Sequence, residues 1–549
     1  MQLRTAYLCF GLLLLLAGSS HQATLANATY YVGAVAEYYP VTSGTNGTVI
    51  STANANNYAT FVKKASSYSA DIIVFPEGTL TAGLQESSTN RTNYTSYSSF
   101  IPNESEGVIP CGNASSTVIE ALKIMSCAAR NYSMYILVNV NEKENCTNAT
   151  SCPSDGYYFY STNVVFNRSG SIISKYRKYN LFNQPGFDIT SSAQNATFVS
   201  DFNVTFGHFI GFDITYRYPA LSLLENVNVT DILFPSRWYS QLPYTTAVQV
   251  QAAWAHRNNV NFLAAGYSDP STGSGGAGLY AGNSGIIISA FSESPSNLLL
   301  VARIPKINGT RAAINSSSNL TYKFDSTEIT TRNVLLSTHQ VVSRENISPY
   351  TTSLIGLNNA TYNQTICNSG LCCKFNVSVV YNSTLVSSSN NSYYRYRFAV
   401  FNGVKTYSNV ITNGIQVCSI IACINDTQDS CAYRYDTNAT LIHPTNFTFI
   451  SITGNFSNQT SYFQLPYTLA TNLLPLNSSS YSFALTNLNS TYNTIGFNLT
   501  SPQSSLFTYA IWGRNFATDG LSIATTSSAV RPIPMILGIV MIILGVGNM

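Results

Sequence analysis

The sequence predicts an α/β layered domain followed by a mainly β, disulfide-linked domain. In the first half of the chain, short apolar runs alternate with stretches of helical spacing, which is the order of elements typical of layered α/β domains. In the second half, β-rich runs alternate with Asn/Ser-rich turns, and six of the 11 cysteines lie there. Because 549 residues exceed the length of one ordinary domain, two domains are expected.

Hydrophobic spacing defines the elements of the first domain. Apolar residues recur at helical intervals in Thr117–Ala129 and Ala247–Arg257. Asn167–Gly170 predicts a hairpin turn between two strands. The predicted strands are Tyr30–Ala36, Asp71–Phe75, Tyr135–Val140, Tyr157–Phe166, Val204–Ile210, Val260–Ala265 and Leu298–Ile304.

The character of the sequence changes after about Asn308. Asn308–Leu320 is polar and typical of a linker, and Ser387–Ser392 is a low-complexity segment expected to form an exposed loop. Between such segments, alternating apolar residues predict strands. These strands are Phe375–Tyr381, Tyr393–Val400 and Phe447–Ile452.

Cysteine usage indicates a disulfide framework. Apart from Cys9, the cysteines form an early group of four and a late group of six, and even numbers are expected of a secreted, disulfide-bonded protein. We expect all ten to be oxidised within the groups Cys111–Cys152 and Cys367–Cys431, although spacing does not determine the connectivity. The ten are Cys111, Cys127, Cys146, Cys152, Cys367, Cys372, Cys373, Cys418, Cys423 and Cys431.

Surface composition also points to a secreted glycoprotein. Only 9% of residues are charged, against about a quarter in ordinary domains, and Asn, Ser and Thr replace them. Asn-x-Ser/Thr sequons recur along the chain, and each is a possible glycan acceptor. The predicted glycosylation sites are Asn27, Asn46, Asn90, Asn93, Asn113, Asn131, Asn195, Asn203, Asn228, Asn308, Asn319, Asn346, Asn376, Asn438, Asn446 and Asn498.

Several functional classes are not predicted. The net charge of +3 comes without a basic block, so nucleic acid is not an expected partner. The five histidines have no zinc-like spacing, and no metal or cofactor is expected. Gly273, Gly275 and Gly278 match G-x-G-x-x-G only within a Gly/Ser loop, where we expect a flexible segment near the cleft and not a dinucleotide site.

Both termini resemble targeting segments. Arg4 followed by the apolar run Ala6–Leu16 and small residues predicts a signal peptide over residues 1–20. At the other end, small residues precede a short spacer and the apolar Ile533–Met549. This pattern over residues 522–549 favours a GPI attachment signal, with a retained transmembrane helix as the alternative. The expected location is the extracellular face of the cell membrane.

Three segments contain the candidate site residues. Glu77 lies in IIVFPEGTL, Lys178 lies in SKYRKYNLF, and Gly211 lies in VTFGHFIGFDITYRYPA. Together with the stretch Phe234–Tyr267, they closely resemble the vanin (pantetheinase) and biotinidase branch of the nitrilase superfamily. In that branch, the centre of the segment reads F-x-C-F-D, and the cysteine occupies the position of Gly211.

The resemblance implies a four-layer αββα sandwich over residues 23–310 and a vanin-type β-rich domain over 325–515. It implies that Glu77 is the proton acceptor, that Lys178 is the proton donor and oxyanion-stabilising group, and that Gly211 marks the nucleophile position without its cysteine. A small, pantetheine-like amide is the implied ligand, and hydrolysis of carbon–nitrogen bonds is the implied activity, impaired or lost here. Family members commonly place a second glutamate soon after the lysine, whereas here Asn183, Gln184 and Pro185 precede the first carboxylate, Asp188.

Each of these residues also has a simpler structural interpretation. Glu77 follows an apolar run and could be a strand-end cap, while Lys178 belongs to a basic cluster with Lys175 and Arg177 that could form a solvated face. His208 could be a core histidine or could approach the cleft. Three hypotheses for function remain open: a ligand-binding pseudoenzyme, a cysteine-independent amidase in which Glu77 activates water, and a structural surface glycoprotein.

Overall fold

The computed structural model describes residues 23–521, apart from 85–88, 114–116, 148, 308–310, 312, 315–316, 318, 331–341, 387–390, 408–409, 437 and 488–490. The predicted signal peptide, the predicted GPI signal, Cys9, the sequon at Asn308 and most of the predicted loop Ser387–Ser392 lie outside the described residues. Among the described residues, no helix is both long and apolar enough to cross a membrane.

The first domain consists of strands and helices in alternation. Its strands are β1 Tyr30–Tyr38, β2 Ile72–Val74, β3 Ser98–Ser99, β4 Tyr135–Asn145, β5 Tyr157–Phe166, β6 Ile172–Arg177, β7 Thr197–Val199, β8 Thr205–His208, β9 Asp231–Ser236, β10 Gln241–Leu242, β11 Asn261–Tyr267, β12 Ala277–Ala281, β13 Ile286–Ala290, β14 Leu298–Pro305 and β15 Leu320–Lys323. Its α-helices are α1 Gly47–Ser66, α2 Tyr94–Tyr97, α3 Glu120–Asn131, α4 Ser222–Asn226 and α5 Ala247–Asn258. As predicted, a hairpin turn joins the antiparallel strands β5 and β6.

Fourteen of these strands form one hydrogen-bonded sheet, which folds into two layers at the short pairing of β1 with β11. One layer runs β6-β5-β4-β2-β1-β14-β15, with β3 beside β4, and the other runs β13-β12-β11-β9-β8-β7, while β10 pairs outside this sheet. Alternate side chains separate the layers: Val35 and Leu233 lie in the core between the two layers of the sheet, whereas Ala36 packs beneath α1 and α3 and Phe234 packs beneath α5. The predicted αββα sandwich is confirmed.

Helix α1 was not predicted because its buried face is partly polar. Asn46 caps it, with its side-chain oxygen accepting a hydrogen bond from the Val49 amide at 3.0 Å. Asn54 and Asn57 are buried where apolar residues would be expected, and both bond to the Tyr38 hydroxyl, each at 2.7 Å. Because their hydrogen bonds are satisfied, these buried amides do not disturb the packing of the helix. They do interrupt the apolar spacing by which a helix is recognised in a sequence.

The second domain is a sandwich of two antiparallel sheets of five strands each. The first sheet runs β17-β20-β21-β26-β23 and the second runs β18-β19-β22-β25-β24. The strands are β16 Ser343–Arg344, which pairs with β10, then β17 Thr351–Ile355, β18 Ala360–Asn368, β19 Leu371–Tyr381, β20 Arg395–Tyr407, β21 Ile411–Cys423, β22 Thr445–Ser457, β23 Tyr462–Ala470, β24 Tyr481–Asn487, β25 Tyr492–Leu499 and β26 Leu506–Asn515.

The predicted disulfide bonds are present at all ten cysteines. Cys373–Cys418 is fully buried and connects β19 of one sheet to β21 of the other. Cys367–Cys372 closes the hairpin between β18 and β19. The remaining bonds are Cys111–Cys127, Cys146–Cys152 and Cys423–Cys431.

Two sequence-based expectations differ from the structure. The polar segment Asn308–Leu320 was expected to be typical of a linker, but its last residue, Leu320, begins β15, which pairs with β14. Gly278 was assigned to a Gly/Ser loop, but it lies within β12 and pairs with Ala264. Gly276 is held by the buried Glu37, whose carboxylate accepts a hydrogen bond from the Gly276 amide at 3.1 Å.

None of the predicted glycosylation sites that the structure describes is buried. Asn319, Asn376, Asn446 and Asn498 are partly exposed and the others are exposed. The side-chain amide nitrogen of Asn319 donates a hydrogen bond to the Ile287 carbonyl at 2.7 Å. Glycosylation at these positions stays a prediction.

We predict that the two disulfides at neighbouring positions contribute unequally to stability. Cys373–Cys418 closes 45 residues and Cys367–Cys372 closes 5. Chain-entropy arguments give about 4 kcal/mol for the first and about 2 kcal/mol for the second. Thermal unfolding of Cys373→Ala/Cys418→Ala should therefore show a larger fall in Tm than Cys367→Ala/Cys372→Ala. An equal or smaller fall would contradict this account.

Candidate functional site

The strand directions bring the three predicted site residues to one edge of the sandwich. Glu77 follows β2, Lys178 follows β6 and Gly211 follows β8. Strands β2 and β4 are parallel, and β6 regains that direction through two antiparallel pairings. On the other side, β8, β9, β11, β1 and β2 are parallel neighbours. The carboxyl ends of all three strands therefore meet at the same edge.

Glu77 and Lys178 form a buried ion pair. The Lys178 Nζ lies 2.5 Å from the Glu77 Oε1, and the two side chains are 3% and 2% exposed. The interpretation of Lys178 as part of a solvated basic face is therefore wrong. The second carboxylate oxygen of Glu77 accepts a hydrogen bond from the Arg237 amide at 3.1 Å. Both oxygens of the predicted base are thus engaged.

Gln184 completes the coordination of the lysine. Its side-chain oxygen accepts a hydrogen bond from the Lys178 Nζ at 2.9 Å. The sequence had drawn attention to this loop because the family's second carboxylate is missing from it. In the structure, a neutral amide oxygen contacts the lysine there, and among the described residues Glu77 is the carboxylate that forms an ion pair with Lys178.

Gly211 faces this ion pair with no side chain of its own. It begins the 3₁₀ turn Gly211–Thr215 and has φ of +47°, a left-handed conformation that glycine adopts readily. A Cβ at this position would lie 2.3 Å from the Glu77 Oε2 and 3.6 Å from the Lys178 Nζ. The Glu77 carboxylate therefore occupies the space that the first side-chain atom of a cysteine would require.

Asp213 fixes the conformation of this turn. Its carboxylate accepts hydrogen bonds from the Tyr176 hydroxyl at 2.8 Å, the Asn180 amide at 2.8 Å and the Ile210 amide at 3.1 Å. Burial raises the pKa of Asp213 to about 6, although the charge of Lys178 and these hydrogen bonds partly oppose that rise. A wholly buried carboxylate thus holds position 211 next to Glu77.

His208 is a core residue. It is 1% exposed, its Nε2 hydrogen-bonds with the Ser174 hydroxyl at 2.8 Å, and burial lowers its pKa to about 3. This agrees with the interpretation of His208 as a core histidine. It does not line the cavity described next.

An aromatic cavity opens beside the ion pair, between the two domains. Its volume is about 130 Å³. Both domains contribute to its wall, and only two of its lining residues are charged. It is lined by Lys178, Phe182, Phe212, Thr215, Arg237, Trp238, Tyr239, Gln241, Thr245, Val250, Ser343, Thr406, Tyr407, Asn413, Tyr467 and Trp512. The Tyr467 and Trp512 rings stack with centroids 4.8 Å apart.

The second domain also holds the turn that carries position 211. Arg514, which is 1% exposed, donates hydrogen bonds to the Thr215 and Gly414 carbonyl oxygens and pairs with Asp519 at 2.6 Å. The Tyr216 hydroxyl donates to the Asn413 side-chain oxygen at 3.1 Å. The geometry at position 211 therefore depends on both domains.

Sequence reasoning did not identify several of these residues. Arg237 and Trp238 lie within the family-like stretch Phe234–Tyr267, but no role had been assigned to them. Tyr407, Tyr467 and Trp512 come from the second domain, where the sequence offers only a pattern of alternating aromatic residues. No sequence signal places them next to a glutamate in the first domain.

Comparisons with known proteins agree with this architecture. Residues 47–240 match the family model for carbon-nitrogen hydrolases, and residues 339–519 match the model for the vanin C-terminal domain. Vanin-like protein 1 of Drosophila melanogaster is 34% identical over 520 residues, covering 92% of this chain and 89% of the relative. Human pantetheinase is 28% identical, covering 72% of each chain, and biotinidase of Takifugu rubripes is 30% identical, covering 68% of this chain and 73% of the relative.

The fold and the site thus define a member of the nitrilase, or carbon–nitrogen hydrolase, superfamily. Within it, the chain belongs to the vanin and biotinidase branch, because it carries both the hydrolase domain and the vanin-type C-terminal domain.

We predict that Asp213 makes the stability of the protein fall as pH rises through mildly acidic values. Its pKa is about 6 in the folded protein, against 3.8 as the ordinary value. The folded state therefore holds the proton more tightly, and its contribution is present below about pH 4 and lost by about pH 7. A difference of this size corresponds to roughly 3 kcal/mol.

Denaturant unfolding at pH 4 and pH 7 measures this contribution against the variant Asp213→Asn, which cannot titrate. The unfolding free energy of the wild type relative to the variant should fall by that amount between the two pH values. A difference that is independent of pH, or that grows with pH, would contradict the assignment.

Proposed function

We propose that this protein is a pseudoenzyme of the vanin branch that binds a small amide in the aromatic cavity without hydrolysing it efficiently. The observation that carries the proposal is the geometry at Gly211, where the Glu77 Oε2 lies 2.3 Å from the position of a Cβ. Covalent amide hydrolysis needs a nucleophilic atom that the base can deprotonate. Position 211 supplies none, and the base occupies its place.

The rest of the described chain supplies no replacement thiol. All ten cysteines of the described residues are in disulfide bonds. Activation of a water by Glu77 is also disfavoured, because one carboxylate oxygen pairs with Lys178 and the other accepts from the Arg237 amide. Proton transfer from a water to Glu77 would remove the negative charge that compensates the buried Lys178.

The residues that line the aromatic cavity support the proposal that the protein still binds a small ligand. Phe212, Trp238, Tyr407 and Trp512 offer apolar surface, while Gln241 and Asn413 offer amide groups, which is the combination typical of small-molecule sites. The names pantetheinase and biotinidase given to two relatives make a small linear amide, such as a pantetheine-like molecule, the proposed ligand. Lys178 and Arg237 would lie near the amide carbonyl.

We propose that the protein acts as a glycoprotein at the outer face of the cell membrane. The exposed sequons support glycosylation, and the sequence of residues 522–549 supports a GPI anchor. Glycans would provide the solubility that a surface with few charged residues lacks.

A panel of pantetheine and aminoacyl amides tests the proposal. We expect the wild type to bind at least one member, measured by calorimetry, with no turnover dependent on Glu77. The comparison variant is Glu77→Gln, with Glu144→Gln as a matched control because Glu144 is half-exposed in its ion pair with Arg177. Turnover by the wild type that Glu77→Gln abolishes and Glu144→Gln preserves would establish the water-activating amidase instead. If the wild type neither binds nor hydrolyses any member of the panel, the hypothesis of a structural surface glycoprotein is favoured instead.

The variant Gly211→Cys separates the missing thiol from other changes in the site. It requires Glu77 to move, and the left-handed backbone adds a strain of about 1–2 kcal/mol for a residue with a Cβ. We therefore expect at most partial amidase activity from the folded variant. Full activity at the level of a pantetheinase would mean that the missing cysteine is the single change that prevents catalysis.

The anchorage is tested on intact cells. Phosphatidylinositol-specific phospholipase C should release the protein into the medium, because a GPI lipid would be its attachment to the membrane. Protein that stays with the membrane after complete digestion would indicate a retained helix and would refute the GPI anchor.

A further inference from the structure

A second cavity lies between the domains, away from the aromatic cavity. This interdomain groove has a volume of about 320 Å³, within the range of roughly 300–1,000 Å³ of small-molecule sites. It is lined by Arg217, Leu221, Leu224, Glu225, Arg257, Asn258, Ser457, Asn458, Gln459, Thr460, Tyr462, Phe463, Gln464, Leu485 and Asn493. None of these residues lines the aromatic cavity.

Arg257 is the central feature of the groove. It lies in the last turn of α5 and its guanidinium packs over the Phe463 ring at 5.6 Å from the centroid. Its Nε is buried without a hydrogen-bond partner, and within the described part of the chain no carboxylate pairs with it. Burial accordingly lowers the pKa of Arg257. A half-buried cation that lacks hydrogen bonds carries a desolvation cost that an anion would offset.

The other charged groups that line the groove do not form an ion pair with Arg257. Glu225, which also lines the groove, pairs with Arg217 at 2.7 Å, and Arg217 donates a second hydrogen bond to the Thr460 carbonyl at 2.9 Å. The negative end of the α5 dipole favours a cation at this position, which explains the charge. It does not provide hydrogen bonds to the guanidinium.

A second polar group in the wall is also unsatisfied. Gln464 is 4% exposed and, among the described residues, its Nε2 has no hydrogen-bond partner. Buried amide donors are rarely left without an acceptor. The remaining wall is rich in neutral amides and hydroxyls from Asn258, Ser457 and Asn493. Because side chains alternate along β23, the Gln464 amide lies on the face of the strand opposite to Phe463 and Arg257. Among the described residues, Arg257 is therefore the donor without an acceptor on its side of the groove, next to a neutral polar surface.

We propose that the interdomain groove is a binding site for a small acidic ligand, in which Arg257 holds an oxyanion and the surrounding amides and hydroxyls hold a hydroxyl-bearing body. The chemistry fits an acidic sugar better than a bare inorganic anion, because the neutral wall extends well beyond the cation. This site is independent of the ligand of the aromatic cavity and of the amidase question.

Calorimetric titration of the full-length protein with sodium glucuronate, sodium sulfate and glucose tests the proposal at matched ionic strength. We expect saturable binding of glucuronate, weaker binding of sulfate and no binding of glucose. In Arg257→Gln, glucuronate affinity should fall at least about tenfold, since hydrogen bonds to a charged group are lost. The matched control is Arg130→Gln, an exposed arginine in the last turn of α3, which should bind like the wild type.

Arg257→Lys retains the charge and serves if Arg257→Gln does not fold. Its affinity for glucuronate should also fall, because an ammonium group cannot form the two parallel hydrogen bonds of a guanidinium. The proposal is overturned by an absence of saturable glucuronate binding or by equal binding of glucose. It is also overturned if sulfate binds as tightly as glucuronate, or if Arg130→Gln and Arg257→Gln lose affinity equally.

Discussion

The buried pair of Glu77 and Lys178 is the interaction on which the geometry of the site depends. Two charges that are removed from water are tolerated only when each is compensated by the other and by further hydrogen bonds. Here Gln184 and the Arg237 amide provide those hydrogen bonds. The arrangement also requires a residue without a side chain at position 211, because a Cβ there would lie on the Glu77 carboxylate.

The second domain contributes residues to this site. Trp512, Tyr467 and Tyr407 form one wall of the aromatic cavity, and Arg514 holds the end of the turn that begins at Gly211. Contacts outside the cavity keep the domains in register, including the hydrogen bond from Thr508 to the Pro243 carbonyl at 2.9 Å. Because the buried disulfide Cys373–Cys418 joins the two sheets behind this wall, loosening the sandwich would also loosen the cavity.

A structural feature could be predicted from the sequence when it depends on residues that are neighbours in the chain. Strands such as β5 could be predicted to the residue, because apolar residues and turn signals are adjacent in the chain. Helix α1 could not, since Asn54 and Asn57 interrupt its apolar face and become satisfied only by Tyr38. The resemblance to known motifs led to Glu77, Lys178 and Gly211, but the closed state of the pair and the aromatic wall arise from contacts between distant segments. Those contacts leave no local pattern.

The presence of Glu77 and Lys178 in a chain that lacks the cysteine has a physical explanation that does not require catalysis. Removing one member of a buried ion pair leaves the other charge uncompensated, at a cost of about 3–5 kcal/mol, which is a large part of the stability of an ordinary domain. With no side chain at position 211, the carboxylate lies in the space that a Cβ would take, and each partner of the pair stabilises the fold by compensating the charge of the other. The survival of two of the three family residues is therefore weak evidence of activity, whereas the contact between position 211 and Glu77 bears directly on it.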